Sequence, residues 1–333
     1  MRHTGTKESV LALFEENRGT YFSGEEIAAR LSVSRAAVWK AVKTLRDEGY
    51  EIDAAPNKGY CLSAETDILS AQGIRKYLNP ACAFRDLLVL EEAESTNALL
   101  REQASAGSPE GRVVVAGRQT KGRGRLGRSF YSPADTGIYM SLLLRPANLS
   151  PDQAVSVTTM AAVAACEAIE EVSGKQAGIK WVNDIYMEGR KVSGILTEAA
   201  LSMENNRIDF IVLGIGINAY APKGGFPEEI GEIAGAVFSR RCDDGKNALA
   251  AAFLNRFAEY YAARESGDYV EKYRDRSLVT GKEILILSPS GKRRAFAEDV
   301  DGQCRLLVRY EDGSREALSS GEISIRFGSR IQS

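Results

Sequence analysis

Residues 117–133 read Gly-Arg-Gln-Thr-Lys-Gly-Arg-Gly-Arg-Leu-Gly-Arg-Ser-Phe-Tyr-Ser-Pro, with Lys121, Arg123, Arg125 and Arg128 and no acidic residue. Glycines at 122, 124 and 127 permit the left-handed turns and close backbone approach through which amides surround an anion. The arginines add rigid forks matched to carboxylate and phosphate oxygens. The chemistry on offer is neutralisation and alignment of an anionic ligand. Four like charges on a glycine-rich segment oppose ordering, so the loop is expected to order around that ligand. Residues 122–127 also spell Gly-x-Gly-x-x-Gly, but a dinucleotide turn needs a helix opening within it. Ser129-Phe130-Tyr131-Ser132-Pro133 is not a helix, and arginines at the x positions crowd a turn built for bare backbone. On this stretch alone, the remaining alternative is a solvated basic loop.

Other chemistries are excluded by what is scarce. The single histidine, His3, reads as part of an N-terminal tail, which removes a Ser-His-Asp triad, histidine acid–base work and histidine metal sites. The five cysteines (61, 82, 166, 242, 304) are scattered, with no Cys-x-x-Cys, and read as reduced thiols. A net charge of −2 argues against a surface that coats nucleic acid or membrane. No apolar run approaches a membrane span and the N-terminus lacks a signal-peptide core, so the expected location is the cytoplasm, with no membrane partner. At 333 residues the chain suffices for two or three domains.

The first sixty residues read helix, helix, tight turn, helix, hairpin. Thr6–Asn17 carries apolar residues at helical spacing, and Ser23 with Glu26 forms a capping box. Ser34 caps a helix to Arg46, and Tyr50–Asp53 and Gly59–Leu62 form a wing-like hairpin. This is the layout of a winged helix-turn-helix. Residues 1–63 hold nine Lys/Arg and nine Asp/Glu, yet residues 30–46 hold Arg30, Arg35, Lys40, Lys43 and Arg46 before any acid. The positive charge thus lies where phosphates would. Ser34, Arg35, Trp39, Lys40 and Lys43 are the candidate DNA contacts, with Trp39 read either as a surface contact or as core. A protein-docking module is the alternative use of the fold. So small a patch requires a dimer reading two half-sites for specific binding.

From about residue 66, strands alternate with long helices. A short helix spans Leu69–Leu78, and Leu87–Leu90 is a strand followed by Ser95-Thr96-Asn97 opening a helix to Ser105. Such a helix start offers amides and hydroxyls to a polar ligand, or serves only as an N-cap. Val113–Ala116 leads into the basic loop, Gly137–Leu144 follows it as a strand, and Ser150-Pro151 starts an Ala-rich helix to about Val172. A hairpin of Ile179–Met187 and Lys191–Glu198 carries polar residues at its strand ends, and Phe210–Asn218 is a further strand with close-approach glycines at 214 and 216. Lys246–Glu265 is amphipathic. Four short strands follow, at Glu283–Leu287, Arg293–Glu298, Arg305–Tyr310 and Glu322–Phe327, with turns at Pro289-Ser-Gly, Asp301-Gly and Asp312-Gly, the pattern of a small antiparallel barrel.

Five motifs in order, Ser95-Thr-Asn97, Gly122-Arg-Gly-Arg-Leu-Gly127, Lys180-Trp-Val-Asn-Asp184, Arg190-Lys-Val-Ser-Gly-Ile-Leu196 and Gly214-Ile-Gly-Ile-Asn218, resemble those of biotin protein ligases. With the winged helix, the chain resembles the bifunctional kind that is also the biotin-operon repressor, from about residue 6 to 328. The resemblance implies that biotin's carboxylate attacks the α-phosphate of ATP, with Mg2+, giving biotinyl-5′-AMP. A lysine of a biotin carboxyl carrier domain then takes the biotinyl group. It implies that Lys191 bridges carboxylate and α-phosphate and that Arg123 and Arg125 order the loop over the adenylate. Phe130 takes the aromatic place against adenine where the family commonly has tryptophan. Ser95, Thr96, Asn97, Gln119, Arg123, Arg125, Lys191 and Gly194 fall at the biotin site. Arg128, Lys180, Asn183, Asn218 and Arg326 join Arg123, Arg125 and Phe130 at the nucleotide, with Asn183 as a magnesium contact. Lys191, Arg125 and Asp184 are the implied catalytic set, Asp184 orienting or deprotonating the incoming lysine. Residue by residue, Lys180 could equally be an ion-pair partner and Asp184 a turn residue.

The expected fold class is α+β multidomain: a winged helix-turn-helix over 1–65, a mixed-sheet biotin ligase catalytic domain with helices over 66–275, and an SH3-like β-barrel over 276–333. The expected regulation is repression by an adenylate-loaded homodimer on operator DNA. The rivals are a lipoate or octanoate ligase on a related fold and a biotin-responsive DNA-binding regulator without turnover.

Overall fold

The structure, a computed structural model, describes residues 5–146, 149–150, 153–202, 207–288, 291–327 and 330–332, without the side chains of 288, 325–327 and 330–332. His3, Pro151, Pro289, Ser290 and the Arg326 side chain therefore lie outside the described residues. The chain divides into two compact units, Met1–Asn79 with Arg240–Ala251, and Pro80–Ser239 with Ala252–Ser333.

The first unit holds α1 (Thr6–Glu16), α2 (Gly24–Leu31), α3 (Arg35–Asp47), the hairpin β1 (Ile52–Ala55) and β2 (Gly59–Leu62), and α4 (Ala71–Arg75). Ser23 and Glu26 form the capping box on α2, and Ser34 accepts from the Ala37 amide to start α3. Val10, Phe14, Ile27, Val38, Leu45 and Leu62 interlock as one core. Tyr50 closes α3, its N–H donating to Leu45 O, so β1 begins two residues later than the sequence pattern suggested. The helix expected over Leu69–Leu78 is only five residues long. Beyond Arg75 the chain tightens into turns, with Tyr77 N–H to Ile74 O and Leu78 N–H to Arg75 O, ahead of Pro80. Segment 240–251 joins this unit through charge: Arg18 bridges Glu15 and Asp244 at 2.7 Å each, and Lys76 reaches Glu15 at 3.0 Å and Asp244 at 2.5 Å.

The second unit continues with β3 (Asp86–Leu90), α5 (Thr96–Ser105), β4 (Arg112–Ala116), β5 (Gly137–Leu144), α6 (Ala154–Ser173), β6 (Gly178–Lys180), β7 (Asp184–Met187), β8 (Arg190–Leu201), β9 (Ile208–Asn218) and α7 (Glu228–Gly231). The long helix α8 (Gly245–Ala262) begins in the first unit's 240–251 segment and ends in this one, and α9 (Tyr269–Asp275) follows. Seven strands pair in the order β3-β4-β5-β9-β8-β7-β6, antiparallel except β3 with β4, a mixed sheet. β5 is buried along its whole length, as expected of a central strand covered on both faces. The helix expected from Ser150 begins at Ala154.

One strand expectation fails. Ile179–Met187 is not a single strand: Trp181, Val182 and Asn183 reverse the chain, and β6 folds back on β7 with Ile179 opposite Ile185. Two side chains hold the reversal. Trp181 Nε1–H donates to Cys304 O at 3.0 Å, and Asn183 Nδ2–H donates to Ile195 O at 2.8 Å.

The chain ends in six antiparallel strands, β10 (Lys282–Ser288), β11 (Gly291–Val300), β12 (Leu306–Tyr310), β13 (Arg315–Leu318), β14 (Glu322–Phe327) and β15 (Arg330–Gln332), ordered β13-β12-β11-β10-β14-β15. β13 and β15 are additional to the four strands the pattern marked. Ala295, Ala297, Leu306, Val308 and Ile323 are buried in this sheet. Among the described residues no helix is long and apolar enough to cross a membrane.

Candidate active site

The site is built on the pairing of β8 with β9. Gly194 lies opposite Gly216 and Leu196 opposite Gly214, so three glycines share one patch of sheet. Side chains occupy the space these glycines leave. A Cβ at Gly216 would lie 2.4 Å from a Phe130 ring carbon, and one at Gly214 would lie 2.1 Å from Asn97 Oδ1. Glycine is required here by close approach. Phe130 also meets Tyr139 edge-on at 6.3 Å. The resulting cleft, of about 250 Å3, is walled by the basic loop, the start of α5, the Lys180–Asp184 reversal, Lys191 and residues 321–323.

One end of the cleft is cationic. Lys191 leaves the start of β8 and pairs with Asp184 Oδ1 at 2.6 Å, both half-buried. The Lys191 backbone is pinned on both sides, its N–H donating to Ile233 O and its C=O accepting from Gly235. Lys180 is buried, and burial holds its ammonium below the usual lysine range; Lys191 and Arg128 push the same way, while Asp184 and Glu322 oppose. Arg125 donates to Asn183 Oδ1 at 3.0 Å, so the loop and the chain reversal are tied together. Arg128 forms an ion pair with Glu322. The loop is folded in this structure, with Gly124 N–H to Arg128 O and Phe130 N–H to Gly122 O. Leu126 at its tip is exposed and takes a left-handed φ of 53°. Lys121 pairs with Glu94 at 3.0 Å and is not part of the cleft wall.

The other end is neutral and polar. Ser95 caps α5, accepting from Ala98 N–H. Thr96 N–H donates to Gln119 Oε1 at 2.9 Å, and Gln119 Nε2 donates to Ser132 Oγ at 3.2 Å. Asn97 Nδ2 donates to Glu198 Oε2 at 2.8 Å, while Ser141 Oγ lies 2.6 Å from Asn97 Oδ1 and 2.7 Å from Thr96 Oγ1. A cationic end beside a hydroxyl-and-amide end suits a ligand with one anionic and one neutral polar terminus.

Of the residues singled out in the sequence, Ser95, Thr96, Asn97, Gln119, Arg123, Arg125, Arg128, Phe130, Lys180, Asn183, Asp184, Lys191 and Gly194 all line this cleft. Asn218 does not. Its Nδ2 donates to Gly235 O at 3.0 Å, which anchors the segment that flanks Lys191. Glu322, Tyr186 and Ile233 line the cleft without having been marked, because no local motif distinguishes them from ordinary strand and turn residues.

The DNA candidates belong to the first unit. Val38, Ala41, Val42 and Leu45 turn one face of α3 inward, leaving Arg35, Trp39, Lys40 and Lys43 exposed. Trp39 is 58% exposed, which decides its alternative against the core. Lys43 Nζ lies 5.7 Å from its ring centre. Two counted cations are engaged elsewhere: Arg46 donates to Ile52 O at 2.6 and 2.9 Å, and Arg30 stacks over Phe22.

The sequence and the fold are similar to those of known proteins. The profile of the Biotin/lipoate A/B protein ligase family matches residues 89–218, an HTH domain profile matches 6–61, and the Biotin protein ligase C terminal domain profile matches 279–326. The chain is 40% identical over 234 residues to the bifunctional ligase/repressor BirA of Bacillus subtilis, covering 70% of this chain and 71% of that protein. The chain belongs to the biotin protein ligase family. The corresponding protein of Escherichia coli is 27% identical over 92% of this chain and 94% of its own length. Among solved structures, the Aquifex aeolicus biotin protein ligase in complex with biotin and ATP is 30% identical, with a TM-score of 0.61 over 73% of this chain and 99% of that one. That structure has both ligands on a fold shared with much of this chain.

Proposed function

We propose that the cleft joins biotin to ATP and passes the biotinyl group to a lysine of a biotin carboxyl carrier domain. The winged helix carries the second activity of this bifunctional ligase and repressor, binding operator DNA. The observation that carries the catalytic reading is that Lys191, Lys180, Arg123, Arg125 and Arg128 line one cleft together with Ser95–Asn97 and Gln119.

In the first step a biotin carboxylate oxygen attacks the α-phosphorus of ATP; that P–O bond forms, the bond to the bridging oxygen breaks, and pyrophosphate leaves. Two anions must meet, so the barrier falls mainly through alignment and fixed positive charge. Lys191 stands between the carboxylate and the α-phosphate. Arg123, Arg125 and Arg128 close over the phosphates, Lys180 supplies charge from below, and Phe130 offers its ring to adenine. Gly194 keeps the floor bare beside Lys191. Asn218 acts through the Gly235 segment that it holds, and Arg326 keeps the nucleotide contact implied by the family resemblance. Mg2+ would come with the ATP phosphates, and Asn183 Oδ1, which accepts from Arg125 in this structure, is the side-chain oxygen that would be offered to it.

In the second step the carrier lysine amine attacks the acyl carbon of biotinyl-5′-AMP, gives up a proton and expels AMP. Asp184 takes that proton. Its 2.6 Å pairing with Lys191 supports the role, because Lys191 frees the carboxylate as it turns to the adenylate.

The three-part division at 1–65, 66–275 and 276–333, the cytoplasmic location and adenylate-induced dimerisation complete the proposal. In the dimer, Ser34, Arg35, Trp39, Lys40 and Lys43 of each copy face DNA. The test is intact-mass analysis of a carrier domain incubated with the chain, biotin, ATP and Mg2+. A single biotinyl addition on one lysine is expected; an unmodified carrier, with the chain folded and biotin bound, refutes the ligase reading.

A further inference from the structure

The hydrogen bonds beneath the α5 end of the cleft have a direction. Asn97 places Nδ2 at 2.8 Å from Glu198 Oε2 and 3.3 Å from Leu196 O. A carboxylate and a carbonyl only accept, so the amide nitrogen must be the atom that faces them. Arg101 Nη2, 2.7 Å from Glu198 Oε1, holds that carboxylate from the other side. Asn97 Oδ1 therefore faces Ser141 Oγ at 2.6 Å, and Ser141 gives it its only proton. Thr96 Oγ1, 2.7 Å from the same Ser141 oxygen, has then to donate to it.

With its proton turned inward, Thr96 Oγ1 shows the cleft only lone pairs. Gln119 is fixed likewise, since Thr96 N–H donates to Oε1 and leaves Nε2 for Ser132. The 3.2 Å approach of Thr96 Oγ1 to Gln119 Oε1 is thus a meeting of two acceptors. Ser141, Thr96 and Asn97 are all buried, so water does not scramble the order.

We propose that Glu198, outside the cleft wall, is a specificity-determining positioning residue: it orders the Asn97–Ser141–Thr96 protons so that the cleft presents paired acceptors and selects a ligand N–H. The inference rests on the biotin reading, in which a ureido N–H is that donor. A glutamine at 198 removes the ordering. Its amide donates as well as accepts, so Asn97 can rotate, Ser141 can reverse, and Thr96 can turn its proton toward the ligand.

The test is calorimetric titration of biotin, and of analogues with each ring N–H in turn replaced by oxygen, into wild type, Glu198→Gln, Ser141→Ala and the double variant. Steady-state pyrophosphate exchange is measured alongside. Glu198→Gln is expected to weaken biotin about tenfold, the scale of one mis-set buried hydrogen bond. It should raise KM for biotin, leave kcat and KM for ATP unchanged, and narrow the discrimination against one analogue. Ser141→Ala cuts the relay directly and should match it, with no further loss in the double variant. Unchanged affinity and discrimination in Glu198→Gln, or additive losses in the double variant, overturn the relay. Should Glu198→Gln fail to fold, the discrimination shown by Ser141→Ala decides. Wild type that binds none of these ligands overturns the biotin reading, and the donor assigned here with it; variants that match a biotin-binding wild type overturn the relay alone.

Discussion

Lys180 shows how the site trades stability for chemistry at the level of one residue. Its ordinary value is 10.5, and burial lowers it in the folded chain. The folded state therefore binds that proton less tightly than the unfolded state, and stability rises as pH climbs from the folded value toward 10.5. Lys180→Met should raise thermal stability at pH 7, on the order of 1 kcal/mol, and abolish adenylate formation. The gain should shrink as the pH approaches 10.5, which unfolding followed across pH 7–10.5 checks. A gain that is constant with pH would mean that packing, not charge, is the cause. Gly216→Val tests the floor: its side chain enters space held by Phe130, so KM for ATP should rise about tenfold or more while biotin binding is retained.

At the scale of elements, hydrophobic periodicity marked most of what forms. The caps at Ser23 and Ser34, the buried strand Gly137–Leu144 and the alternation of strands with helices follow from local chemistry that acts over a few residues. The single strand expected over residues 179–187 fails for a physical reason. Apolar residues at 179, 181, 185 and 187, alternating except at Asn183, fit a strand, but the reversal is held by Trp181 bonding to Cys304, 123 residues away, and by Asn183 bonding to Ile195 on the next strand of the sheet. The cleft residues were legible because Gly, Lys, Arg and Asn cluster in short motifs. Glu198, Ser141 and Glu322 were not, because their importance lies in partners 44 to 194 residues distant. The reversal also carries a prediction. Asn183→Ala removes both the acceptor for Arg125 and the donor to Ile195, and should slow adenylate formation at least tenfold with little change in biotin affinity, as rapid-quench and titration would show.

For the whole molecule, the proposed activities fall in separate units, DNA binding in the first and ligation in the second. Leu45 is fully buried in the first unit's core, and Leu45→Ala should destabilise that unit by roughly 2–5 kcal/mol. Operator binding should be lost in a mobility-shift assay while biotin-dependent exchange persists; loss of both would mean that the units fail together. Arg125→Ala addresses the link between the activities. If the adenylate orders the basic loop and the ordered loop builds the dimer, this change should weaken adenylate retention and DNA binding together. DNA affinity that ignores biotinyl-5′-AMP in the wild type would remove the link altogether.

Activation of biotin in this one cleft is read out by biotin-dependent exchange of labelled pyrophosphate into ATP with Mg2+. Lipoate and octanoate are run beside biotin, and Lys191→Ala beside the wild type. Exchange with biotin alone, lost in Lys191→Ala, is the predicted result. Exchange driven by lipoate or octanoate, no exchange with any acid in folded protein that binds biotin, or full exchange in Lys191→Ala would contradict it.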